Sequence, residues 1–171
     1  MIAPMHIEVM SESQLNTTQS PQAHEPVSLW NYTINPSTGE DRACAVAVDS
    51  NDNIIVVGYD NVTGDFRWRI MKFSSTGTEL WTNTTNPSSG SDIAYGVATD
   101  SNDNIIVVGY DNSAGNNEWR IMKFDSAGNL LWLNTTNPNA TRNDEAYDVA
   151  LDSNDDIIVV GYDHNAANNQ W

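Results

Sequence analysis

Acidic and amide side chains recur at a fixed spacing in this chain and could bind a cation. The stretch DSNDN, which begins at Asp49, returns at Asp100 and, as DSNDD, at Asp152. Its side chains take positions 1, 3 and 5 of a calcium-binding loop, and Asp60 takes position 12. Such a loop requires glycine at position 6, where Ile54 stands, and the residues that follow have the apolar pattern of a buried strand. We therefore expect a hairpin turn bonded to its own amides, with calcium as the alternative and no other cofactor.

A second set of polar residues stands at the end of each copy of IIVVGYD, where a loop begins. Each copy contributes the final aspartate and the residue after it, which gives Asp60, Asn61, Asp111, Asn112, Asp163 and His164. These residues could line a polar binding surface, or the aspartates could close the strand ends by bonding loop amides. A residue that recurs in every copy usually serves the architecture, so the structural interpretation is favoured. Residues that differ between copies suit an asymmetric ligand better, and these include Phe66, Asn117, Arg142 and His164.

The arrangements that catalysis or zinc binding would need are absent from the sequence. There is no Ser/His/Asp pattern, no glycine-rich phosphate loop and no His/Cys zinc spacing among three histidines and one cysteine. That cysteine, Cys44, aligns with Tyr95 and Tyr147 in the other copies, which indicates a packing position. We accordingly predict no catalytic residue and no metal ligand.

The charge of the chain argues against anionic partners. Twenty-three acidic residues stand against seven lysines and arginines, and the formal net charge is −16 at pH 7. Such a field repels the phosphates of nucleic acids and of anionic lipid surfaces. Apolar residues make up 39% of the 171 positions, without an unbroken run long enough for a membrane-spanning helix. We expect neither nucleic-acid binding nor membrane insertion.

The polar motifs belong to a longer repeat that begins near residue 29. The pair Leu-Trp at 29–30 returns at 80–81 and at 131–132, a spacing of 51 residues each time. The phrase WRIMKF stands at 68–73 and again at 119–124. A period of this length indicates one supersecondary unit per repeat.

Each repeat has the pattern of four short strands joined by turns. β-Branched and aromatic residues fill the runs, whereas Asn, Asp, Ser and Gly fill the gaps. In the middle copy the predicted strands are 94–100, 105–111, 119–125 and 130–136. Connections this short require antiparallel neighbours, so each repeat should form a four-stranded meander. No stretch of the sequence combines the apolar spacing of an amphipathic helix with capping residues at its ends. The predicted fold class is therefore all-β.

The second strand of each repeat indicates the architecture. Its residues are apolar on both faces, so the strand should be covered on both sides. A small sheet covered on each side by a copy of itself is a blade of a β-propeller, and blade repeats of roughly 40 to 50 residues fit the period. A β-sandwich gives no reason for so long a repeat, and a β-helix needs a much shorter one.

The run GVATDSNDNIIVVGYD…WRIMKFDSAGNLLW resembles the bacterial and archaeal β-propeller repeat family often labelled SBBP, and it is also similar to NHL and delta-60 repeats. The resemblance covers roughly residues 29–171 and implies a fold more than an activity, because such repeats serve as binding or scaffold modules of many surface proteins. It implies that GVATD is the innermost strand of a blade and LLWLNTT the outermost, and that the loops after the second strand share the ligand-binding face. The chain departs from the family at one turn, where Asp52, Asp103 and Asp155 replace the usual glycine.

The repeats divide the chain into a leader and an incomplete propeller. Residues 1–28 lack sustained periodicity and are predicted to be a flexible leader. The propeller segment, 29–171, should consist of an outer strand at 29–33, blades at 43–85 and 94–136, and a partial blade at 146–171. Propellers carry about 4 to 8 blades, so about two and a half blades require others. These come either from a longer chain of which this one is a fragment, which we favour, or from other chains.

The expected function is that of a non-enzymatic scaffold or binding module for a protein or glycan partner. We expect a secreted or cell-surface protein, although the first residues lack the basic and apolar regions of a secretory signal. Six Asn-x-Ser/Thr sequons agree with that location; they begin at Asn16, Asn31, Asn61, Asn83, Asn134 and Asn139. The alternative is a fragment of a propeller enzyme, a lyase, hydrolase or quinone-dependent dehydrogenase, whose active residues lie in missing blades.

Overall fold

The computed structural model describes residues 4–11, 27–62, 64–86, 88–113, 115–136 and 142–164. Within these ranges every regular element is a β-strand. The twelve strands are β1 (Met5–Ser11), β2 (Val27–Ile34), β3 (Arg42–Val48), β4 (Ile54–Asp60), β5 (Arg67–Phe73), β6 (Glu79–Thr85), β7 (Ile93–Thr99), β8 (Ile105–Asp111), β9 (Glu118–Phe124), β10 (Leu130–Thr136), β11 (Glu145–Leu151) and β12 (Ile157–Tyr162). This part of the chain contains no helix with the length and apolar character needed to cross a membrane.

The strands form two whole sheets and two half-size sheets. The first blade consists of β3 to β6 in chain order, and the second blade consists of β7 to β10. Among the described residues, β1 and β2 form a two-stranded sheet, the outer half-blade, and β11 and β12 form another, the inner half-blade. All neighbouring strands are antiparallel. This confirms the prediction of an all-β chain built from four-stranded meanders, the blades of an incomplete propeller.

The two apolar faces of the second strand determine how the sheets stack. Every residue of β4 and of β8 is buried. In β4, Ile55 and Val57 pack against the second blade, whereas Ile54 and Val56 pack against the outer half-blade. The corresponding residues of β8 divide in the same way between the first blade and the inner half-blade. Burying one such side chain contributes about 1.5–3 kcal/mol, so each second strand holds three sheets together.

The first strand of each blade lies innermost, as the repeat resemblance implies. β7 lies against both β3 and β11. The second strand approaches the first closely at a glycine. A Cβ atom on Gly58 would lie 1.9 Å from the carbonyl oxygen of Arg42, and one on Gly109 would lie 2.0 Å from that of Ile93. The ladder is irregular beside both glycines, and no side chain fits there.

The turn between the first and second strands uses an aspartate in the left-handed region of backbone conformation. The φ angle is 59° at Asp52, 61° at Asp103 and 62° at Asp155. Glycine enters this region without steric cost, and Asp and Asn are the side chains that tolerate it best. The three aspartates therefore allow the same tight turn in every copy.

Strand β1 lies in the segment that the sequence analysis treated as a leader without regular structure, and for residues 5–11 that expectation is wrong. Met5 and Ile7 are buried and pack in one cluster with Ile54 of β4. Alternate residues of this strand face the first blade, because its apolar side chains recur with the period of two that a half-buried strand requires. Residues 12–26 lie outside those described, and the division into leader and propeller stays a prediction.

Candidate functional site

The turn proposed as a calcium loop is closed by its own amides and by a lysine. One carboxylate oxygen of Asp49 accepts hydrogen bonds from the backbone N–H groups of Asn51 and Asn53, at 2.9 Å each. The other oxygen lies 2.8 Å from the ammonium group of Lys72 on β5. The side chains of Lys72 and Asp49 are 4% and 0% exposed, so protein encloses the pair.

These contacts keep the carboxylates of the turn aspartates ionised. Burial alone would raise the pKa of Asp49, but hydrogen bonds from Lys72, from the Asn53 side chain and from backbone amides outweigh it and lower the pKa to about 2. The same balance lowers the pKa of Asp100 to about 2, with Lys123 as the cation, 2.7 Å away. In the described ranges, no three His, Cys, Asp or Glu side chains are placed to hold a metal ion.

Two of the predicted site aspartates are buried inside their own blades. The carboxylate of Asp60 is fully buried and lies against Arg67 and Arg69, with Nη1 of Arg69 at 3.0 Å. Asp111 is equally buried and pairs with Arg120 of β9. Both aspartates therefore join the end of the second strand to the third strand of the same blade. This geometry gives them the structural role and keeps their carboxylates away from solvent.

Asp163 takes the same position in the inner half-blade, but no cation among the described residues pairs with it. Its Oδ1 atom is buried and accepts no hydrogen bond within the described residues. In the whole blades the third strand supplies the arginine for this position. The described part of the inner half-blade contains only a first and a second strand, so the corresponding arginine is not supplied there.

The loops that follow the second strands are held by three buried aspartates that the sequence analysis did not single out. Each accepts a backbone N–H at its Oδ1 atom, and the pairs are Asp41 with Asn61 at 3.2 Å, Asp92 with Asn112 at 2.9 Å and Asp144 with His164 at 2.7 Å. The repeat contains the signal that could have found them, because an aspartate stands just before each innermost strand. The predicted site residues Asn61, Asn112 and His164 thus occupy equivalent, fixed backbone positions.

The side chains on this fixed backbone differ between blades. We define the rim as the loop residues Asn61, Phe66, Asn112, Asn117, Arg142 and His164. In the first blade a glycine makes room for the asparagine, since a Cβ atom on Gly39 would lie 2.7 Å from the Cβ atom of Asn61. The corresponding residue in the third copy is Arg142, whose Nη1 atom lies 2.8 Å from Nε2 of His164. The third copy therefore presents a guanidinium group where the first presents backbone.

A second rim position also keeps its backbone contact and changes its side chain. The carbonyl oxygens of Phe66 and Asn117 each accept, at 2.8 Å, the backbone N–H of the aspartate that precedes the next innermost strand. The ring of Phe66 packs on Tyr59, with the centroids 4.7 Å apart. The amide of Asn117 instead donates to the carboxylate of Glu145, at 2.5 Å. One framework thus presents an apolar ring in one blade and an amide in the next.

Tyrosines gather on the inner strands near the rim. The ring of Tyr95 lies 5.9 Å from that of Tyr110 and 5.3 Å from that of Tyr147, measured between centroids. Burial and then the charge of Glu145 raise the pKa of Tyr95 to about 12, so its hydroxyl is neutral. Cys44 takes the corresponding position in the first blade and packs in one cluster with Tyr95 and Tyr110, where burial raises the pKa of its thiol. A raised thiol pKa leaves little thiolate, in agreement with the predicted packing role.

Comparison with known proteins agrees with a repeat-based, propeller-like fold. Over 155 residues the chain is 28% identical to an uncharacterised WD repeat-containing protein of Acanthamoeba polyphaga mimivirus. The match includes 68% of this chain but 11% of that relative, so the chain spans about a tenth of the length of the protein it matches. WD repeats form four-stranded propeller blades. No family profile matches the chain.

Proposed function

We propose that this chain is a non-enzymatic scaffold or binding module whose rim binds a protein or glycan partner, as part of a secreted or cell-surface protein. The main support for the proposal is that the rim backbone is held in the same way in each copy, whereas the rim side chains differ between copies. The same aspartate-to-amide bond positions Asn61, Asn112 and His164, so the loops are shaped before a ligand arrives. Loops that are already ordered lose little conformational entropy on binding.

The third copy supplies the polar contacts that would distinguish one ligand from another. Arg142 is exposed and lies against His164, whereas the first two copies have glycine and asparagine at these positions. A guanidinium group donates several hydrogen bonds in a fixed plane and binds carboxylates in particular. The rim therefore suits an asymmetric partner that brings an acidic group to the third copy.

The positions of the repeated carboxylates favour a scaffold over a catalyst. Asp49, Asp60, Asp100 and Asp111 each pair with a lysine or arginine inside the blades. A catalytic acid or base must reach its substrate within hydrogen-bond distance, and these buried groups do not face solvent. We also propose that the repeats are of the SBBP type, on the phrases GVATDSNDN and WRIMKF; the similarity to a WD repeat-containing protein supports the broader class.

Binding to a glycan array and to a panel of extracellular proteins tests the proposal. The double variant R142G/H164N gives the third copy the rim residues of the first two and keeps the N–H group that Asp144 accepts. We expect saturable binding by the native chain and at least about tenfold weaker binding by the variant. Asn154→Ala, in the turn at the opposite strand ends, is the control and should bind as the native chain does.

Two results would contradict the proposal. One is the absence of saturable binding on both panels, and the other is equal binding by the native chain and R142G/H164N. Turnover, such as quinone-dependent dye reduction by the purified chain, would favour the enzymatic alternative instead.

A further inference from the structure

The outer and inner half-blades are complementary parts of one blade. β1 pairs with β2 in the register in which β5 pairs with β6, since Val9 lies opposite Trp30 as Lys72 lies opposite Trp81. The residues MHIEVM of β1 therefore take the positions of WRIMKF in β5, the third strand of a blade. β2 takes the outermost position, and the inner half-blade consists of a first and a second strand.

We propose that β12 of one copy pairs with β1 of a second copy, so that two copies close a six-bladed ring through two composite blades. Each copy has twelve described strands, and a whole blade has four. Two copies therefore supply six blades, within the range of about 4 to 8 found in propellers. The two junctions are identical, as a twofold axis requires.

An exposed apolar patch on the first blade marks one side of this junction. Val46 on β3 is 62% exposed, whereas its counterparts Val97 and Val149 are each 7% exposed and pack against the blade before them. The blade before Val46 is the outer half-blade, whose described residues include no first or second strand. Within the described residues, no first or second strand of that half-blade covers Val46.

A second apolar patch, on the inner half-blade, marks the other side. Ile158 and Val160 on β12 are 52% and 57% exposed, whereas their counterparts Ile55 and Val57 on β4 are fully buried. Ile55 and Val57 belong to the cluster that packs against the following blade. In the proposed ring the following blade is the first blade of the second copy, so Ile158 and Val160 would lie against its Val46.

The hydrogen bonds between the turns of neighbouring blades leave a donor on one side of the proposed junction and an acceptor on the other. The carboxylate of Asp103 accepts the backbone N–H and the hydroxyl of Ser50 in the preceding blade, both at 2.8 Å. Equivalent bonds join the inner half-blade to the second blade. Within the described residues, Asp52 accepts no such bond and Ser153 donates none. The ring would place Ser153 of one copy beside Asp52 of the other.

The carboxylate of Asp163, whose Oδ1 atom is buried, also gains a partner at this junction. His6 takes the position of Arg69, so strand pairing would place it opposite Gly161 of the other copy. In the first blade the carboxylate that receives Arg69 is Asp60. The imidazole of His6, whose side chain is 52% exposed, would thus approach Asp163, whose Oδ1 atom has no hydrogen-bond partner in the described chain.

An open groove beside β1 gives the inner half-blade a place to enter. Its volume is about 280 Å³, and most of its lining comes from β1 and β3. The lining is largely apolar, because it includes Ile7, Val9, Ala45, Val46 and Val56. A second copy fits this groove with strand pairing on β1 and apolar contacts on β3.

Glu8 is the residue of β1 that fits the junction least well. It takes the position of Met71 and Met122, which are 0% and 3% exposed. Pairing would bring a carboxylate to a site that whole blades fill with methionine, and burying an unpaired carboxylate opposes association. The variant E8M/H6R converts both mismatched positions to the residues of whole blades, and it should strengthen the dimer.

Sedimentation velocity and native mass spectrometry test the inference. We expect the 18.8 kDa chain to be in equilibrium with a species of twice its mass, and E8M/H6R to lower the dimer dissociation constant at least about tenfold. Val160→Glu should abolish the dimer without unfolding the chain, because this side chain is already exposed. Val62→Glu, on an exposed loop, is the control and should leave the dimer intact. A single 18.8 kDa species for both the native chain and E8M/H6R would overturn the inference.

A disulfide trap then tests the register. Val9 takes the position of Lys72, which lies opposite Ile55, so it should lie opposite Ile158 of the other copy. In a Cys44→Tyr background, the pair V9C and I158C should form a disulfide between chains. The control pair E8C and I158C is shifted by one residue, which turns the side chains to opposite faces, and should not. Equal cross-linking by the two pairs, or cross-links within one chain only, would overturn the pairing.

Discussion

The ammonium group of Lys72 lies 2.8 Å from the carboxylate of Asp49, and both side chains are almost completely buried. Lys72 also donates to the carbonyl oxygen of Ser126, 3.0 Å away, at the turn between the third and fourth strands of the next blade. A single lysine therefore closes the hairpin of its own blade and joins it to the blade that follows. The repeated aspartates of this chain act inside the architecture, and the variable residues lie on the rim.

Lys72→Met should lower the free energy of unfolding by about 3 kcal/mol or more, because it leaves the Asp49 carboxylate buried without a cation. Removing that charge as well, in K72M/D49N, should recover part of the loss. Lys123→Met is the matched change in the second blade, where the lysine is 19% exposed, and it should cost less. Urea unfolding of the four proteins measures this, and equal losses for the two lysine variants would contradict the role of burial.

Stability should fall as the pH is lowered from about 4 to about 2. The pKa values of Asp49 and Asp100 are about 2 in the folded chain, below the ordinary value of 3.8. A lowered folded pKa stabilises the protein above the unfolded pKa, and the stabilisation is lost as the pH falls through the folded pKa. Asp92, whose pKa burial raises, offsets part of this loss. Thermal unfolding between pH 2 and pH 5 checks the prediction, and K72M should show a weaker dependence than the native chain.

Calcium should leave the melting temperature unchanged. The Asp49 and Asp100 carboxylates already bind amides and a lysine, so a cation would have to displace an ammonium group. Titration calorimetry with millimolar Ca²⁺ should show no saturable heat. Saturable binding that D49N abolishes would instead restore the calcium loop as the interpretation of this turn.

Trp68→Phe should destabilise the chain more than Trp30→Phe. The indole N–H of Trp68 donates to the carbonyl oxygen of Tyr110 in the next blade at 3.0 Å, and the ring is fully buried. Trp30 on β2 also donates to a carbonyl oxygen of the following blade, that of Ser75 at 3.0 Å, but at an exposed position. Leaving a buried carbonyl without its donor costs about 1–3 kcal/mol, whereas water can replace a donor at the surface. Chemical unfolding of the two variants compares them, and similar losses would show that burial does not set the cost of losing this bond.

The strand order could be predicted because the turn residues and the apolar runs are easily recognised in each repeat. The second strand was recognised as enclosed from its two apolar faces alone. Strand β1 was missed because only seven residues carry its period of two, and MHIEVM shares one identity, Ile7, with WRIMKF. Its role emerges only from its register against Trp30 on β2.

The site could be predicted only in part. Asp60 and Asp111 were located correctly at the strand ends, but their burial depends on arginines of the adjacent strand that spacing alone does not place. The aspartates that hold the rim, such as Asp92, looked like ordinary loop residues, because their partners are backbone amides about twenty residues away. The ligand could not be predicted from the sequence, because the repeated residues are explained by the structure of the blade. Few rim residues differ between the copies.

Amide hydrogen exchange of the three copies of IIVVGY, resolved by NMR, tests most directly the claim that neighbouring sheets enclose each second strand. The same six residues open β4 and β8 and make up β12, so their intrinsic exchange rates are closely similar. β4 and β8 are buried throughout, whereas every residue of β12 is half-buried or exposed. In dilute, monomeric protein we predict exchange at least about a hundredfold slower in β4 and β8 than in β12. Equal protection of all three copies would contradict the stacked-blade architecture.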